Sequence, residues 1–307
     1  MNEPYVVVIG GANMDLHAQA RTELLPGTSN PGTSQLSPGG VGRNVAEVIA
    51  RLGTACHLVS VVGDDPLGVE LLAHTEEAGV DVTQVRQRQG VLTGTYAAIL
   101  DPAGELMVAV ADMAATDLIT PLVVEAAASL IRGASVLVLD GNLLQATIEH
   151  ALAIAVEAGI RVVLDPVSVP KSVRLRPVLG PGIDLITPNR AELAAFTGLP
   201  TRTEAEIEAA IEHVRALGVL AVWVGMGREG SLLIGPSGRH RLPAVVVEPV
   251  DVTGAGDAMV GAFCHASLRG ESRPDAARYG QAAAALTVTS RSTVRTDLSD
   301  ELIRSIL

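Results

Sequence analysis

Residues 251–263 read Asp-Val-Thr-Gly-Ala-Gly-Asp-Ala-Met-Val-Gly-Ala-Phe, a loop of small residues followed by an apolar, alanine-rich run. The residues at 254–256 are small enough for a loop whose backbone N–H groups converge on one point, and the run from Ala258 predicts a helix behind them. Exposed N–H groups at a helix N-terminus favour an anion such as phosphate. Asp257 stands where this helix begins, so its carboxylate either caps the helix or acts as a general base beside a transferred phosphoryl group.

The rest of the chain alternates short β-branched runs with segments rich in alanine, leucine and glutamate, a pattern typical of βαβ units around a mostly parallel sheet. The predicted strands are residues 5–10, 57–61, 135–139, 161–164, 185–187 and 219–224. The predicted helices are residues 42–52, 65–78, 121–131, 144–158, 190–197, 204–216, 257–269 and 274–289. Continuous apolar strands are typical of sheets that are covered on both faces. The sequence therefore predicts an α/β fold, a three-layer α/β/α sandwich.

Two stretches, residues 14–38 and 91–113, interrupt this alternation with polar and apolar residues in turn. The second stretch contains an Asp-Pro-Ala-Gly turn between two apolar runs, which predicts an antiparallel hairpin. Both stretches follow early strands, so we expect them to pair into a small β-sheet that forms a lid on a single domain spanning residues 1–307. Such a lid either covers the substrate of its own chain alone or also pairs with the lid of a second copy in a homodimer.

The composition excludes several classes of protein. Hydrophobic residues make up 48% of the chain and charged residues 18%, which excludes a disordered chain. A net charge of −12, with one Trp, three Tyr and two Phe, argues against a nucleic-acid partner, which needs a basic stripe or stacking platforms. No stretch reaches the roughly 18 apolar residues of a spanning helix. Cys56 and Cys264 show no disulfide or metal-ligand spacing, so we expect a cytoplasmic protein without a membrane partner.

Two further motifs lie in the first part of the chain. Residues 11–15, Gly-Ala-Asn-Met-Asp, follow the first predicted strand, at the end where open α/β sheets bind ligands. Asp15 either accepts hydrogen bonds from two vicinal hydroxyl groups of a sugar or is an ordinary turn residue. Residues 38–44, Pro-Gly-Gly-Val-Gly-Arg-Asn, open a predicted helix. Their glycines permit close approach of a ligand to the backbone, and Asn44 offers both donors and an acceptor.

The second half of the chain adds two candidate nucleotide elements. Residues 225–230, Gly-Met-Gly-Arg-Glu-Gly, follow a predicted strand and form a candidate phosphate loop. Asn189 and Glu192 lie three positions apart on one helical face and either hold a hydrated Mg²⁺ or belong to the solvated surface. The loop at 254–256 has two glycines where a dinucleotide fingerprint has three and lies near the end of the chain, which argues against a Rossmann-type oxidoreductase.

Taken in order, these motifs resemble those of the ribokinase/PfkB family of carbohydrate and nucleoside kinases. The resemblance runs from Tyr5 to beyond Arg291, and residues 251–257 are its most specific part. Within the family, the chain is most similar to the pseudouridine kinases. The segments that carry this narrower similarity are residues 29–32, 39–44, 112–113 and 165–168, together with Lys171.

The resemblance implies a role for each residue that matches a family motif. The residues implied in catalysis are Asp257 as the base and Gly254, Ala255 and Gly256 as the anion hole. The residues implied in binding the ribosyl substrate are Asn13, Asp15, Gly39, Gly40, Arg43, Asn44 and Asn142. The residues implied in binding Mg²⁺–ATP are Asn189, Glu192, Gly225, Gly227, Gly230 and Thr253.

The metal ions implied by the family are Mg²⁺ and a monovalent cation. Glu192 is implied to hold Mg²⁺ through a water molecule. Asp251 and Thr253 match positions that coordinate a monovalent cation such as K⁺ in many relatives. The polar run at 289–293 stands where relatives often have glycine, so the rest of a K⁺ site does not follow from the resemblance.

Recognition of pseudouridine requires an acceptor that uridine kinases do not need, because its carbon–carbon glycosidic bond leaves an extra ring N–H exposed. A site that hydrogen-bonds such a group can reject an analogue that lacks it. Asp112 is the first candidate for this acceptor, and Asn30 and Thr93 are weaker alternatives. Lys171, the only lysine of the chain, either donates to a uracil carbonyl or survives by chance on a surface loop.

The reaction expected from the resemblance is transfer of the ATP γ-phosphoryl group to the 5′-hydroxyl of a ribonucleoside, with pseudouridine as the first candidate. Ribokinase or another sugar or nucleoside kinase of the same family is the alternative. A non-catalytic nucleoside or sugar sensor is the alternative from another class. The intact Asp257 and anion loop argue against a sensor, since a sensor does not need a base.

Overall fold

The structure, a computed structural model, describes residues 3–307. Its strands are β1 (Tyr5–Ile9), β2 (Asn13–Ala20), β3 (Gly32–Gly39), β4 (Ala55–Gly63), β5 (Asp81–Arg88), β6 (Gly94–Leu100), β7 (Leu106–Asp112), β8 (Val136–Asp140), β9 (Arg161–Asp165), β10 (Leu185–Ile186), β11 (Val222–Gly225), β12 (Ser231–Gly235) and β13 (Gly238–Leu242). Its helices are α1 (Val41–Arg51), α2 (Pro66–Glu77), α3 (Ala114–Asp117), α4 (Pro121–Ala126), α5 (Ala128–Gly133), α6 (Gln145–Ala158), α7 (Val169–Leu175), α8 (Arg190–Thr197), α9 (Glu204–Ala216), α10 (Ala255–Leu268), α11 (Arg273–Thr287) and α12 (Asp300–Arg304). Within residues 3–307, no helix combines the length and the apolar character that crossing a bilayer requires.

The larger sheet has nine strands in the order β13-β12-β11-β10-β9-β8-β1-β4-β5. The pairs from β5 across to β11 are parallel, whereas β12 pairs with β11 and β13 in antiparallel fashion. Strand β1 lies between β8 and β4, and its residues from Val6 to Ile9 are fully buried. The carboxyl ends of the parallel strands therefore meet at one edge of the sheet, where α/β proteins bind their ligands.

Helices cover both faces of this sheet. Val6 and Val8 point into a hydrophobic core shared with α1, α10 and α11. Val7 and Ile9 point into a second core shared with α4, α6, α8 and α9. This alternation follows from the period of two along a β-strand. The predicted three-layer α/β/α sandwich with a mostly parallel sheet is confirmed.

The smaller sheet has four strands in the order β3-β2-β6-β7, and these strands lie, to within one residue, inside the two stretches from which the sequence predicts a lid. Strand β2 pairs with β3 antiparallel and with β6 parallel, and β6 pairs with β7 antiparallel. Because β2 begins four residues after the end of β1, the smaller sheet adjoins the ligand-binding edge of the larger one.

The two faces of the smaller sheet differ in polarity. One face, which we call the pocket face, carries Asp15 with its cross-strand neighbours Ser37 and Tyr96. The opposite face, which we call the outer face, is apolar. Its side chains are Leu16, Ala18, Leu36, Ala97, Ile99, Val108 and Val110.

Several elements differ from the prediction. The helix predicted over residues 121–131 is divided at Ala127, whose φ of −96° and ψ of 5° end α4 and begin α5. Strand β5 was missed because Asp-Val-Thr-Gln-Val-Arg-Gln-Arg has no apolar run, which reflects its place at the edge of the sheet. The strand predicted over 219–224 begins at Val222. Helix α10 begins at Ala255, two residues before the predicted start.

Candidate active site

The loop before α10 turns sharply at Gly254, whose φ of 77° is left-handed. A Cβ atom at this position would lie 2.0 Å from the carbonyl oxygen of Thr293, so only glycine fits. Nothing lies within 4 Å of the place where a side chain would begin at Gly256, which leaves open space in front of the helix. The first residues of a helix have no preceding turn to accept their N–H groups. The start of α10 can therefore receive an anion, as the sequence predicts.

Asp257 lies half-buried in the first turn of α10. Its Oδ2 accepts a hydrogen bond of 2.8 Å from Nδ2 of Asn44, which projects from α1. Burial raises the pKa of Asp257 to about 7, and the carboxylates of Asp140 and Asp15 add to that shift. The hydrogen bond from Asn44 and the charge of Arg43 oppose it. A carboxylate with such a pKa can both accept and release a proton near neutral pH.

Asn13 and Asp15 lie side by side at the start of β2. Nδ2 of Asn13 donates to Oδ1 of Asp15 at 2.6 Å, and burial raises the pKa of the Asp15 carboxyl group. A Cβ atom at Gly39 would lie 2.3 Å from Oδ2 of Asp15. Gly40 has a left-handed φ of 96°, and a Cβ atom there would lie 2.5 Å from the carbonyl oxygen of Gly11. These contacts bring the first two predicted substrate motifs together on the pocket face.

Asp140, a residue that the sequence analysis missed, connects three segments of this site. The side chain is buried at the carboxyl end of β8, and its Oδ2 accepts from the N–H groups of Gly11 at 2.9 Å and Gly42 at 3.2 Å. Its Oδ1 accepts from both the backbone N–H and Nδ2 of Asn142, each at 2.7 Å. Its position at the carboxyl end of a central strand is the signal that identifies it.

Asn142 and Lys171 form a pair beside Asp140. Nζ of Lys171 donates to Oδ1 of Asn142, whose own amide group is held by Asp140. Burial lowers the pKa of Lys171, and the charge of Asp140 opposes that shift. Lys171 is half-buried in α7, so it does not belong to a surface loop.

Asp165 is a second buried carboxylate that the sequence analysis did not assign to the site. It ends β9 and accepts hydrogen bonds from the N–H of Val167 at 2.8 Å and from Oγ1 of Thr187 at 3.1 Å. Burial raises its pKa to about 8, with a further contribution from the charge of Asp257. Val167 has a φ of 67°, which is rare for a β-branched residue. The turn after β9 is thus strained where it faces the site.

The nucleotide-binding candidates lie further along the same edge of the sheet. Asn189 and Glu192 form a reciprocal capping box at the start of α8, with hydrogen bonds of 3.0 and 2.8 Å. Glu192 is buried, and its Oε1 is not used by that box. Asn189 forms an isolated bridge to Gly225, which joins α8 to the loop at 225–230. Within residues 3–307, no group of three or more His, Cys, Asp or Glu side chains could by itself enclose a metal ion.

The glycines of the loop at 225–230 serve different purposes. Gly225 and Gly227 have nothing within 4 Å of the place where a side chain would begin, so a ligand can approach their backbone. Gly230 has a φ of 85°, and a Cβ atom there would lie 2.1 Å from the carbonyl oxygen of Leu242. Gly230 therefore supports the turn.

The segment predicted to bind a monovalent cation lies just before α10. In it, Oδ1 of Asp251 accepts a hydrogen bond of 2.8 Å from the N–H of Thr253, which folds the loop.

Three residues predicted to recognise the base do not point into the site. Asp112 pairs with Thr95, which places it on the same side as the outer face and away from Asp15. The amide group of Asn30 binds Leu25 and Thr28 within its own loop. Oγ1 of Thr93 donates to Asp65 at 2.7 Å, and Thr93 is buried. The prediction that these three residues recognise the base is therefore corrected. The polar groups of Asn30 and Thr93 bind other protein groups, and Asp112 faces away from Asp15.

The prediction that Arg43 binds the substrate is also corrected, because this residue is only 4% exposed and lies behind the pocket. Its guanidinium donates to Pro38, Asn44, Glu47 and Thr75. With its donors used in this way, Arg43 has protein partners and little surface left for a substrate.

Comparisons with known proteins agree with this geometry. Residues 3–300 match the pfkB family of carbohydrate kinases. The pseudouridine kinase of Escherichia coli K12 is 32% identical over 296 residues, which cover 96% of this chain and 94% of that protein. The ribokinase of Haemophilus influenzae is 29% identical over 93% of this chain and 92% of that protein. The structure of Arabidopsis thaliana ribokinase complexed with ribose and ATP is similar, with a TM-score of 0.88, 26% identity and 99% of each chain covered. The chain therefore belongs to the pfkB family of carbohydrate kinases and is a phosphotransferase.

Proposed function

We propose that the protein transfers the γ-phosphoryl group of ATP to the 5′-hydroxyl of a ribonucleoside, and that this nucleoside is pseudouridine. One observation carries the reaction: the Asp257 carboxylate lies in the first turn of α10, beside N–H groups that can receive an anion. A carboxylate at this place would repel a resting phosphate. A hydroxyl that attacks a phosphoryl group, in contrast, requires a base there.

The catalytic step follows from these positions. Asp257 takes the proton of the 5′-hydroxyl as its oxygen attacks the γ-phosphorus in line with the departing ADP. The N–H groups at the start of α10 stabilise the charge that develops on the phosphoryl oxygens. Asn13 and Asp15 hold the ribose hydroxyls on the pocket face. The open approach at Gly225 and Gly227 accepts the nucleotide.

The proposed cofactors are Mg²⁺ and K⁺. Glu192 has a buried carboxylate with one oxygen outside the capping box, which suits an ion held through water and by the substrate phosphates. When bound, Mg²⁺ neutralises charge on those phosphates. Asp251 and Thr253 are the proposed K⁺ residues, and their loop leads directly into α10.

The proposal of pseudouridine rests on the similarity to a pseudouridine kinase and on the polar groups near the site. Lys171, held by Asn142, is the proposed donor to a uracil carbonyl. Because Asp112 lies towards the outer face, the acceptor for the extra ring N–H has to come from the pocket face. His17 and Gln35, which are cross-strand neighbours there, are the residues best suited to it.

The test is a kinase assay with pseudouridine, uridine, cytidine and free ribose as acceptors under one set of conditions. We expect pseudouridine to give the highest kcat/KM, at least about tenfold above uridine, because uridine cannot donate to the proposed acceptor on the pocket face. Release of ADP and formation of the 5′-phosphate are the two readouts. If uridine or ribose matches pseudouridine, the proposed substrate is wrong and the kinase reaction stands. If none of the four acceptors yields ADP, the proposed class of acceptor is wrong, and binding of a nucleoside without turnover would then favour a sensor.

We also propose that the outer face of the smaller sheet pairs with a second copy of the chain. Leu36 and Val110 lie in one row across the four strands with Leu16 and Ala97, and they remain 40% and 66% exposed. Exposed apolar faces of this kind are typical of association sites. The chain carries a net charge of −12, so we expect two copies to meet at a surface with few charges, and the row through Leu36 and Val110 has none.

Substitution of Val110 tests this proposal. The change Val110→Glu places a charge on the outer face and is expected to convert a dimer into a monomer in sedimentation velocity experiments. Leu122→Glu is the matched control, since Leu122 is 80% exposed on α4, away from the smaller sheet, and should leave the dimer intact. A monomeric wild-type protein at about 50 µM, or a Val110→Glu variant that stays dimeric, would contradict the proposal.

The proposed compartment is the cytoplasm. Both cysteines, Cys56 and Cys264, are free and buried, which suits a reducing environment. The proposed phosphoryl donor, ATP, is also most abundant there.

A further inference from the structure

A buried guanidinium group lies behind the catalytic carboxylate. Arg43 belongs to the first turn of α1, and its side chain reaches four different groups. Nη1 donates to the carbonyl of Pro38 at 3.3 Å and to Oδ1 of Asn44 at 2.8 Å. Nη2 donates to Glu47, and Nε donates to Oγ1 of Thr75 at 3.4 Å. A buried arginine with this many partners has a defined orientation.

The contact with Asn44 determines which end of that amide faces the base. An amide can rotate by about 180° and exchange its oxygen and nitrogen. A guanidinium has only donors, so the Asn44 oxygen has to face Arg43. The Asn44 nitrogen then faces Asp257, to which it donates at 2.8 Å. Without Arg43, the amide could rotate and bring an oxygen against the carboxylate.

The charge of Arg43 also acts on the base. The ionisable and polar groups that face Asp257 are Asp15 from β2, Asn44 and Arg43 from α1, Asp140 from β8 and Asp165 from β9. Burial raises the pKa of Asp257, Asp140 and Asp15 add to that shift, and Arg43 opposes it. The charge of Asp257 in turn raises the pKa of Asp165. Burial lowers the pKa of Arg43 itself to about 10, so it remains charged at neutral pH.

Arg43 is connected to the smaller sheet as well. Its contact at Pro38 lies at the end of β3, directly before Gly39, which packs against Asp15. One side chain thus touches the strand that faces the ribose-binding carboxylate and the amide that faces the base. The ion pair with Glu47, which also binds Arg51 at 2.7 Å, holds the guanidinium on α1.

We propose that Arg43 is a positioning residue for phosphoryl transfer, which fixes the Asn44 amide so that it donates to Asp257 and keeps the base aimed and ionised. The proposal rests on the proposed role of Asp257 as the base. Arg43 acts through Asn44 and does not touch the substrate.

The first test is the pH dependence of kcat. Because the base must be ionised, wild-type kcat is expected to rise with pH through an apparent pKa near 7. Removing the positive charge in Arg43→Met destabilises the carboxylate, so this midpoint should move upwards by about one pH unit. Arg43→Lys keeps the charge but loses the planar fork, so we expect a midpoint near that of the wild type and a kcat about tenfold lower. The KM for ATP should stay within about twofold in both variants, since the hydrogen-bond partners of Arg43 do not include the loop at 225–230.

Arg51→Gln is the matched control. Arg51 lies on the same helix and shares the partner Glu47, but it contacts Thr296 rather than Asn44. Its substitution should lower the melting temperature about as much as Arg43→Lys does and leave the midpoint of the pH profile within about 0.2 units. Melting curves of all variants separate loss of folded protein from loss of positioning.

A double-mutant cycle tests whether Arg43 acts through Asn44. Measured at a pH well above both midpoints, where the direct effect of the charge on ionisation is absent, most of the kcat loss caused by Arg43→Met should disappear in an Asn44→Ala background. The amide to be oriented is then missing. Additive losses, or an Arg43→Met profile that matches that of Arg51→Gln, would overturn the proposal. If Arg43→Met does not fold, the Arg43→Lys cycle decides in the same way. Near-normal turnover in Asp257→Asn would refute the proposed base itself, which is a different outcome.

Discussion

Asp257→Asn is expected to lower kcat by about 10²- to 10⁴-fold, the range for loss of a general base. Asparagine has the same size as aspartate and can still accept the hydrogen bond from Asn44, but it cannot take the proton of the attacking hydroxyl. The N–H groups at the start of α10 remain, so some rate enhancement should persist. Binding of ATP, measured by calorimetry on the variant, should be unchanged or slightly tighter because a negative charge near the phosphates is removed.

The control for this variant is Asp275→Asn. Asp275 occupies the same place in its helix, the first turn of α11, but it bonds with Ser272 and Arg278 on the surface. It should lose a little stability and keep its turnover. An Asp257→Asn enzyme with near-wild-type kcat would remove the base from the mechanism and return Asp257 to the role of a helix-capping residue.

Asp15→Ala is expected to lower kcat/KM for ribonucleosides by about 10²- to 10⁴-fold, since hydrogen bonds to a charged group contribute about 1.5 to 3 kcal/mol each and two are lost. The KM for ATP should change by less than about twofold. Wild-type enzyme should already use a 2′-deoxyribonucleoside about 10- to 100-fold less well than the ribonucleoside. In Asp15→Ala this difference should fall close to one, because the residue that distinguishes the two sugars is gone.

Gln19→Ala provides the comparison for Asp15→Ala. Gln19 lies on the same strand and the same face as Asp15 but at the far, exposed end, next to Thr33. It should retain both the activity and the preference for ribose. Equal use of ribo and deoxyribo substrates by the wild type would show that Asp15 is a structural residue of β2.

The elements that could be predicted from the sequence are those whose own residues define them. Strands β1, β8 and β9 are continuous apolar runs because helices cover both of their faces, and the small residues at 254–256 permit one tight turn. Strand β5 could not be predicted, because its edge position permits polar side chains. Asp140 has no motif around it, and its importance arises from chain segments about 100 residues away that donate to it.

The prediction of Asp112 failed for a different physical reason. Its position at the end of the second lid hairpin is correct, but a β-strand alternates its faces at every residue. Which face Asp112 occupies depends on the register with Thr95, and the sequence does not define that register. The prediction for Arg43 failed because a glycine-rich motif indicates a place near the ligand. It does not show which of the neighbouring side chains turn towards the core.

The Asp140 carboxylate has a thermodynamic consequence for substrate binding. It fixes Gly11, Gly42 and Asn142 in the free protein, so these segments lose their conformational entropy when the chain folds and not when the nucleoside arrives. Binding to such a preorganised pocket needs little further ordering of the protein on that side. The entropic cost of binding should therefore arise mainly from the nucleoside itself. Loss of the Asp140 carboxylate would move that ordering into the binding step, so affinity should fall even though the change lies behind the pocket.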